Sequence, residues 1–246
     1  MKKIVYVAMS ADVLHRGHIN IIKKARELGD LTIGLLTDEA IASYKRVPFM
    51  NFEERKELLE NIKGVTKVIS QETLDYVPNL ELLRPDYVVH GDDWKEGVQK
   101  KIRLDAKAAI EKWGGQIIDI PYTIGISSTE LQSKIKKVGI TPENRLKSLK
   151  RMLEVKPILR FMDMHNALTG LIIENTSIEK NQRKIEFDGM WASSLTDSTS
   201  LGKPDIEAVD ITSRINNINN LVEVTPKPII FDGDTGGKAE HFVFTV

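Results

Sequence analysis

The chain has no cysteine. Disulfides and thiolate chemistry are excluded, and a cytoplasmic home is expected. It has no segment near the ~18 to 20 uninterrupted apolar residues of a membrane span, so no membrane association is expected. The N-terminal apolar run stops at Met9. Asp12, His15, Arg16 and His18 follow where a signal peptide would carry a small-residue cleavage site. That run therefore reads as a first buried strand. An excess of one charge is also missing, because 35 Lys and Arg balance 35 Asp and Glu. A dedicated nucleic-acid binder shows a basic surplus, so no nucleic-acid partner is expected and any phosphate binding must be local. What is present, 41% apolar and 28% charged residues over 246 positions, is a soluble globular composition. The length allows one large domain or two ordinary ones.

The first half alternates between two periodicities. Lys3 to Met9 reads as a strand, and Ile19 to Leu28 as a helix with Ile21, Ile22, Ala25 and Leu28 at helical spacing. Gly29-Asp30 stops that helix, and Leu31 to Leu36 reads as a parallel strand, completing a βαβ unit. Further on, Asn51 to Ile62 predicts a helix with Asn51 and Glu54 as a capping box. Strands are expected at Val65 to Ser70, Asp86 to His90 and Gln116 to Ile120. Helices are expected at Asn79 to Arg84, Lys95 to Trp113 and from Ser128 or Thr129 to Lys137. This is the pattern of a Rossmann-like doubly wound α/β sheet, whose ligands bind beyond the carboxyl ends of the strands.

Residues 136–150 read as a linker, and a second strand-helix series follows. Leu146 to Leu153 is helical, Pro157 to Met164 a strand leading to a helix ending at Thr176, Phe187 to Ser193 a strand, Asp205 to Val224 a long helix and Pro228 to Asp234 a strand. A full (β/α)8 barrel takes ~250 residues, so residues 151–246 are expected to form an incomplete barrel segment, with a smaller open sheet as the alternative. Open strand edges and an uncovered apolar face predict aggregation or disorder of the 246-residue chain in isolation.

Two histidines three apart, directly after a buried strand and at a helix start, define a candidate phosphate site. The free N–H groups and dipole of a helix N-terminus favour an anion. Imidazoles at that point can donate to phosphate oxygens, and more strongly when protonated. Gly17 lets a phosphate approach the backbone closely.

The run His15-Arg16-Gly17-His18 resembles the HxGH signature of the cytidylyltransferase-like nucleotidyltransferases. Asp12 three residues before it, Thr37-Asp38-Glu39, Lys45 and Arg46 before Phe52-Glu53-Glu54-Arg55, His90-Gly91-Asp92-Asp93-Trp94 and Gly125-Ile126-Ser127-Ser128-Thr129 extend the resemblance through residue 135. The resemblance implies transfer of a nucleotidyl group from CTP to a phosphate or phosphonate acceptor, with pyrophosphate released and no covalent enzyme intermediate. It implies that His15, His18, Lys45 and Arg46 act in catalysis. Ser10, Asp12, Gly17, Asp93, Trp94, Ser127, Ser128 and Thr129 would then bind the nucleotide, and Mg2+ would bridge phosphates. This sequence departs from the family at Ser10 and Ala11, where Thr and an aromatic are usual, and at Tyr122, where an Arg is usual. Arg55 reads equally as a solvated charge or a site residue, and Trp94 equally as core or as a border of the base. Trp113 reads as core.

In the second half, Asp232 and Asp234 flank Gly233 at an expected strand end. At period two both side chains face the same way, which suits a hard cation such as Mg2+ bound partly through water. Together with Met164-His165-Asn166-Ala167-Leu168, Phe187 to Ser198 and Pro204-Asp205-Ile206-Glu207, they resemble the N-terminal part of a phosphoenolpyruvate mutase of the isocitrate lyase superfamily. That resemblance implies Asp232 as a direct and Asp234 as an indirect Mg2+ ligand. Trp191, Ser193, Ser194 and Leu195 would line the phosphonopyruvate pocket of an enzyme acting on phosphoenolpyruvate, and Asp205 would be an active-site carboxylate. Superfamily members that hydrolyse or cleave carbon–carbon bonds share these strands.

The two resemblances together point to a bifunctional phosphonate-biosynthesis enzyme with 2-aminoethylphosphonate as acceptor. The alternatives are a cytidylyltransferase for glycerol 3-phosphate or phosphoethanolamine beside a lyase or hydrolase barrel, and a non-catalytic nucleotide-binding regulatory module. A homo-oligomer is expected by resemblance.

Overall fold

In the computed structural model, residues 2–95, 99–121, 142–180 and 183–236 are described. The chain divides into two compact units, residues 1–135 and 136–246.

Unit one is a five-stranded parallel sheet flanked by helices. Its strands are β1 (Ile4–Met9), β2 (Asp30–Leu36), β3 (Val65–Gln71), β4 (Tyr87–Gly91) and β5 (Gln116–Ile120), in the order β3-β2-β1-β4-β5. Each strand is followed by a crossover that must be right-handed to repack on a twisted sheet. The winding reverses between β1 and β4, the switch point at which doubly wound sheets bind ligands beyond the strand ends.

β1 is buried along almost its whole length and feeds both faces by simple alternation. Val5, Val7 and Met9 pack with Ile22 and Ala25 of α1 (Arg16–Leu28) and Leu59 of α3 (Phe52–Glu60). Tyr6 and Ala8 face the other way, onto Leu80 of α4 (Val77–Leu83) and Ala106, Ala109 and Ile110 of α5 (Gln99–Glu111). Burying such side chains stabilises the fold by ~1.5 to 3 kcal/mol each for the larger ones, and fixes which face every neighbour must take.

The expected strands and most helices of this unit are present, with adjusted ends. The expected helix from Lys95 divides into a 3-10 turn at Asp92–Lys95 and α5 from Gln99. A short helix α2 (Asp38–Ala42), capped by Thr37, had no clear periodic signal. The expected helix from Ser128 or Thr129 lies outside the described residues.

Unit two holds a three-stranded parallel sheet in the order β6 (Phe161–Asp163), β9 (Gly189–Ala192), β10 (Ile229–Phe231). Its helices are α6 (Pro142–Val155), α7 (Ala167–Asn175), α8 (Ser194–Ser200) and α9 (Ile211–Val222). Met164, Ile173, Met190, Ala192 and Leu221 form its core.

Three expectations change here. The supposed linker is helical from Pro142. The long helix from Asp205 begins only at Ile211, because Asp210 caps it by accepting from Ser213 N at 3.0 Å, and Gly202 and Glu207 adopt positive φ before it. An antiparallel pair, β7 (Ser177–Lys180) with β8 (Arg183–Glu186), went unread because its strands are mostly charged and polar.

Candidate active site at the carboxyl end of β1

His15 is the N-cap of α1, with extended backbone at φ −139°. Its Nδ1 accepts from the Gly17 amide at 3.0 Å, and the Nδ1 of His18 accepts from the His15 amide at 3.3 Å. The motif is thus a capping box built from two imidazoles, satisfying amides that a helix start leaves orphaned. The rings lie 4.1 Å apart, tilted by 44°.

A neutral imidazole that accepts at Nδ1 carries its proton at Nε2. Both rings therefore hold the tautomer that presents an Nε2–H donor. Burial, then the nearby His15 and Lys45, push His18 down to about 4, and burial lowers His15 as well. Near neutral pH the pair therefore consists of neutral donors.

The residues before the helix are held under constraint. Ala11 is fully buried with φ 51°, a conformation L residues reach at a cost of roughly 1 to 2 kcal/mol. Such strain persists where surrounding contacts over-determine it. Those contacts are visible. Asp12 is buried, and its Oδ1 accepts from the Phe49 and Met50 amides at 2.7 and 3.2 Å. Asp12 thereby anchors the segment between α2 and α3 to the end of β1.

Arg55, which the sequence left open, is fully buried. Its Nη1 donates to the carbonyls of Ser10 and Leu36 at 2.5 and 2.9 Å, its Nε to Met50 O at 3.2 Å, and its Nη2 to Asp38 Oδ1 at 2.5 Å. One guanidinium joins the ends of β1 and β2, the start of α2 and the 43–50 segment. That segment carries Lys45, whose Nζ donates to Ser10 Oγ at 3.3 Å. Burial lowers the Lys45 pKa, Asp12 opposes that and Arg55 adds to it. Arg46 sits half-buried beside it.

At the end of β4 the order is different. Trp94 is fully buried in the core, and its Nε1 donates to Asp119 Oδ1 at 2.7 Å. It offers no surface to a base in this structure. His90 stacks on it, 4.4 Å between centroids at 15°. Burial works against the Asp119 carboxylate, but hydrogen bonds from Arg103, Trp94 and Lys95 prevail and hold it at about 2. Asp93 lies in the 3-10 turn. Ser127, Ser128, Thr129 and Tyr122 lie outside the described residues.

In unit two, the ends of the three strands converge. Ser193 caps α8, and Ser194 Oγ donates to Asp232 Oδ2 at 3.2 Å. Thr196 Oγ1 donates to Asp163 Oδ2 at 2.5 Å. Trp191 and Leu195 are exposed. Asp205 is exposed in the 201–210 segment; it is Glu207 that reaches the Asp232 loop, accepting from Thr235 N at 3.0 Å.

The expected like-facing pair is corrected. β10 ends at Phe231 and Asp234 has φ 50°, so strand alternation does not govern these side chains. The Asp234 amide donates to Asp232 Oδ1 at 3.0 Å, and the Asp234 carboxylate accepts from Arg214 Nη1 at 2.8 Å. Among the described residues no group of three His, Cys, Asp or Glu side chains could hold a metal. Mg2+ takes one or two carboxylates and keeps several waters. Asp232 fits that requirement: the Asp234 amide holds its carboxyl below the usual range against the opposing effect of burial, so it is ionised. No helix among the described residues is long and apolar enough to cross a membrane.

A parallel sheet with a helix N-terminus and two Nε2–H donors beside its switch point defines an α/β domain built to bind nucleotide phosphates. Residues 10–134 match the cytidylyltransferase-like family model, so the chain belongs to that family. Residues 149–246 match the phosphoenolpyruvate phosphomutase model. The glycerol-3-phosphate cytidylyltransferase of Bacillus subtilis (strain 168) is 30% identical over 143 residues, covering 55% of this chain and 98% of that one. The ethanolamine-phosphate cytidylyltransferase of Dictyostelium discoideum is 37% identical over 133 residues, covering 53% of this chain and 36% of that one. The chain spans about a third of the length of the ethanolamine-phosphate enzymes it matches. Among solved structures, the lipopolysaccharide core biosynthesis protein of Thermoplasma volcanium aligns with TM-score 0.42 and 22% identity, over 50% of this chain and 98% of that one.

Proposed function

We propose that residues 1–135 transfer a cytidylyl group from CTP to a small phosphonate, with 2-aminoethylphosphonate as the acceptor. The observation that carries the chemistry is the paired imidazoles, each fixed by a backbone amide so that Nε2–H is its donor. The acceptor oxygen forms a bond to the α-phosphorus as the bond to the β-phosphate oxygen breaks in line, and pyrophosphate leaves. His15 and His18 donate to phosphate oxygens as charge grows on them. Each such preorganised donor contributes ~2.7 to 4 kcal/mol to the transition state. Lys45 and Arg46 close over the triphosphate. Ser127, Ser128 and Thr129 hold its outer phosphates, and Ser10, Asp12 and Gly17 shape the site. Mg2+ accompanying the nucleotide adds positive charge there.

The acceptor choice draws on two supports. The relatives named for ethanolamine phosphate share the first unit. 2-Aminoethylphosphonate has the same terminal amine and two-carbon chain, but lacks the ester oxygen, so that carbon bonds directly to phosphorus. The second unit matches a family named for a phosphomutase. We assign to it, as part of a (β/α)8 barrel, the conversion of phosphoenolpyruvate to phosphonopyruvate, in which the phosphoryl group moves from oxygen to carbon. Trp191, Ser193, Ser194 and Leu195 line that pocket, Asp205 borders it, and Asp232 holds Mg2+, which supplies charge for the substrate's oxygens. A cytoplasmic homo-oligomer completes the reading.

Pyrophosphate release tests it, with CTP or ATP as donor and 2-aminoethylphosphonate, glycerol 3-phosphate or phosphoethanolamine as acceptor. Turnover with CTP and the phosphonate, lost in His18→Ala, is the expected result. Turnover confined to phosphate acceptors would overturn the phosphonate assignment. CTP binding without turnover would favour a regulatory module.

A further inference from the structure

The two aspartates after β10 are held differently. Asp232 accepts from the Asp234 amide and the Ser194 hydroxyl. Asp234 is in an ion pair with Arg214, whose side chain is almost fully buried. That guanidinium cannot easily follow Asp234 elsewhere, because it is fixed on three other sides. Its Nε donates to Asp197 Oδ2 at 2.8 Å, its Nη2 to Ala192 O at 3.3 Å, and it lies over the Phe231 ring at 4.5 Å. Asp197 is itself buried and sits on α8. The result is a rigid bracket from α9 through α8 to the turn after β10.

We infer that Arg214 is a positioning residue that keeps Asp234 out of direct metal coordination, leaving Asp232 as the inner ligand and selecting a water-rich Mg2+ over Ca2+. The inference rests on the reading of Asp232 as the Mg2+ ligand. Ca2+ takes six to eight oxygens and gains from every added carboxylate, whereas Mg2+ is content with one or two and water. A guanidinium 2.8 Å from Asp234 Oδ2 withholds that carboxylate and places a positive charge beside the ion.

The test is isothermal titration of the 246-residue chain with MgCl2 and, separately, CaCl2. Arg214→Gln is combined with Asp197→Asn so that no charged partner is stranded in the interior. Arg214→Met with Asp197→Leu is the second version should the amides not pack. Asp197→Asn alone keeps Arg214 on Asp234 and perturbs the same interior. Ca2+ affinity should rise on the order of tenfold in a double variant and stay unchanged in Asp197→Asn. A gain of this kind cannot arise from unfolding. Unchanged or weaker Ca2+ binding in a double variant with native near-ultraviolet circular dichroism overturns the role of Arg214. Absence of any Mg2+ signal that Asp232→Asn removes overturns instead the metal reading beneath it.

Discussion

His15 and His18 hold each other in place: the Nδ1 of His18 accepts the amide of His15, whose own Nδ1 accepts the amide of Gly17, with the rings 4.1 Å apart. The motif thus starts the helix and sets the tautomers of the same two groups. Structural and chemical roles therefore overlap at both residues, but His15 is the N-cap itself and His18 its reciprocal partner.

Substitution should reveal that difference. His15→Ala removes the N-cap and should cost ~1 kcal/mol of stability in urea denaturation. His18→Ala leaves the N-cap in place. It should still reduce CTP-dependent pyrophosphate release by roughly 100- to 1000-fold. A His18→Ala protein that unfolds as His15→Ala does, yet turns over normally, would contradict the assignment.

The low pKa of His18 makes stability depend on pH. The native state disfavours the proton, lowering the ring from 6.5 to about 4, so the unfolded chain binds more protons between these values. Stability is complete above pH 6.5 and is lost as pH falls toward 4, by on the order of 3 kcal/mol. Urea midpoints measured from pH 7.5 to 4 should fall for the native sequence and flatten in His18→Gln.

Arg55 should behave as a structural keystone of the site. Arg55→Ala takes the guanidinium away from Asp38 and three carbonyls, and breaking a buried pair from one side costs about 3 to 5 kcal/mol. Arg55→Lys should recover little, since an ammonium cannot span four acceptors on three segments. A loss under 1 kcal/mol by denaturant titration would show that water replaces the guanidinium readily.

Gly34 reports on packing between β1 and β2. A Cβ there would lie 1.8 Å from the Tyr6 hydroxyl and 2.9 Å from Gln71 Oε1. Tyr6 donates to Gln71 and accepts from Asn79 Nδ2 at 2.9 Å, in the buried interior. Gly34→Ala should destabilise unit one by about 1 to 3 kcal/mol through overpacking. Pairing it with Tyr6→Phe should recover little of that loss in the same denaturation assay, because the ring Cζ that remains would still lie 2.5 Å from the new Cβ and Gln71 and Asn79 would lose the hydroxyl.

Much of unit one was legible in the sequence because its signals are local. The alternation Val5-Tyr6-Val7-Ala8-Met9 is a strand wherever it is buried, and Asn51 with Glu54 forms the capping box its spacing implies. The second unit was less legible. Its strands are only three or four residues long, and the 201–210 segment shares the polarity of a helix surface.

By itself, the sequence determined the βαβ start, the place of His15 and His18 at a helix N-terminus, and the residue types available for phosphate and metal. Those follow from periodicity and capping, which act over a few residues. Only the tertiary structure decided what each side chain is committed to. Arg55 became a buried tie because the ends of β1 and β2, the start of α2 and the 43–50 segment present four acceptors around it. Trp94 went to the core because Asp119 of β5 satisfies its indole N–H. Asp234 turned to Arg214, 20 residues away, rather than beside Asp232. Hydrogen bonds and charges act over a few ångströms in space, and chain order does not record which groups folding brings within that range.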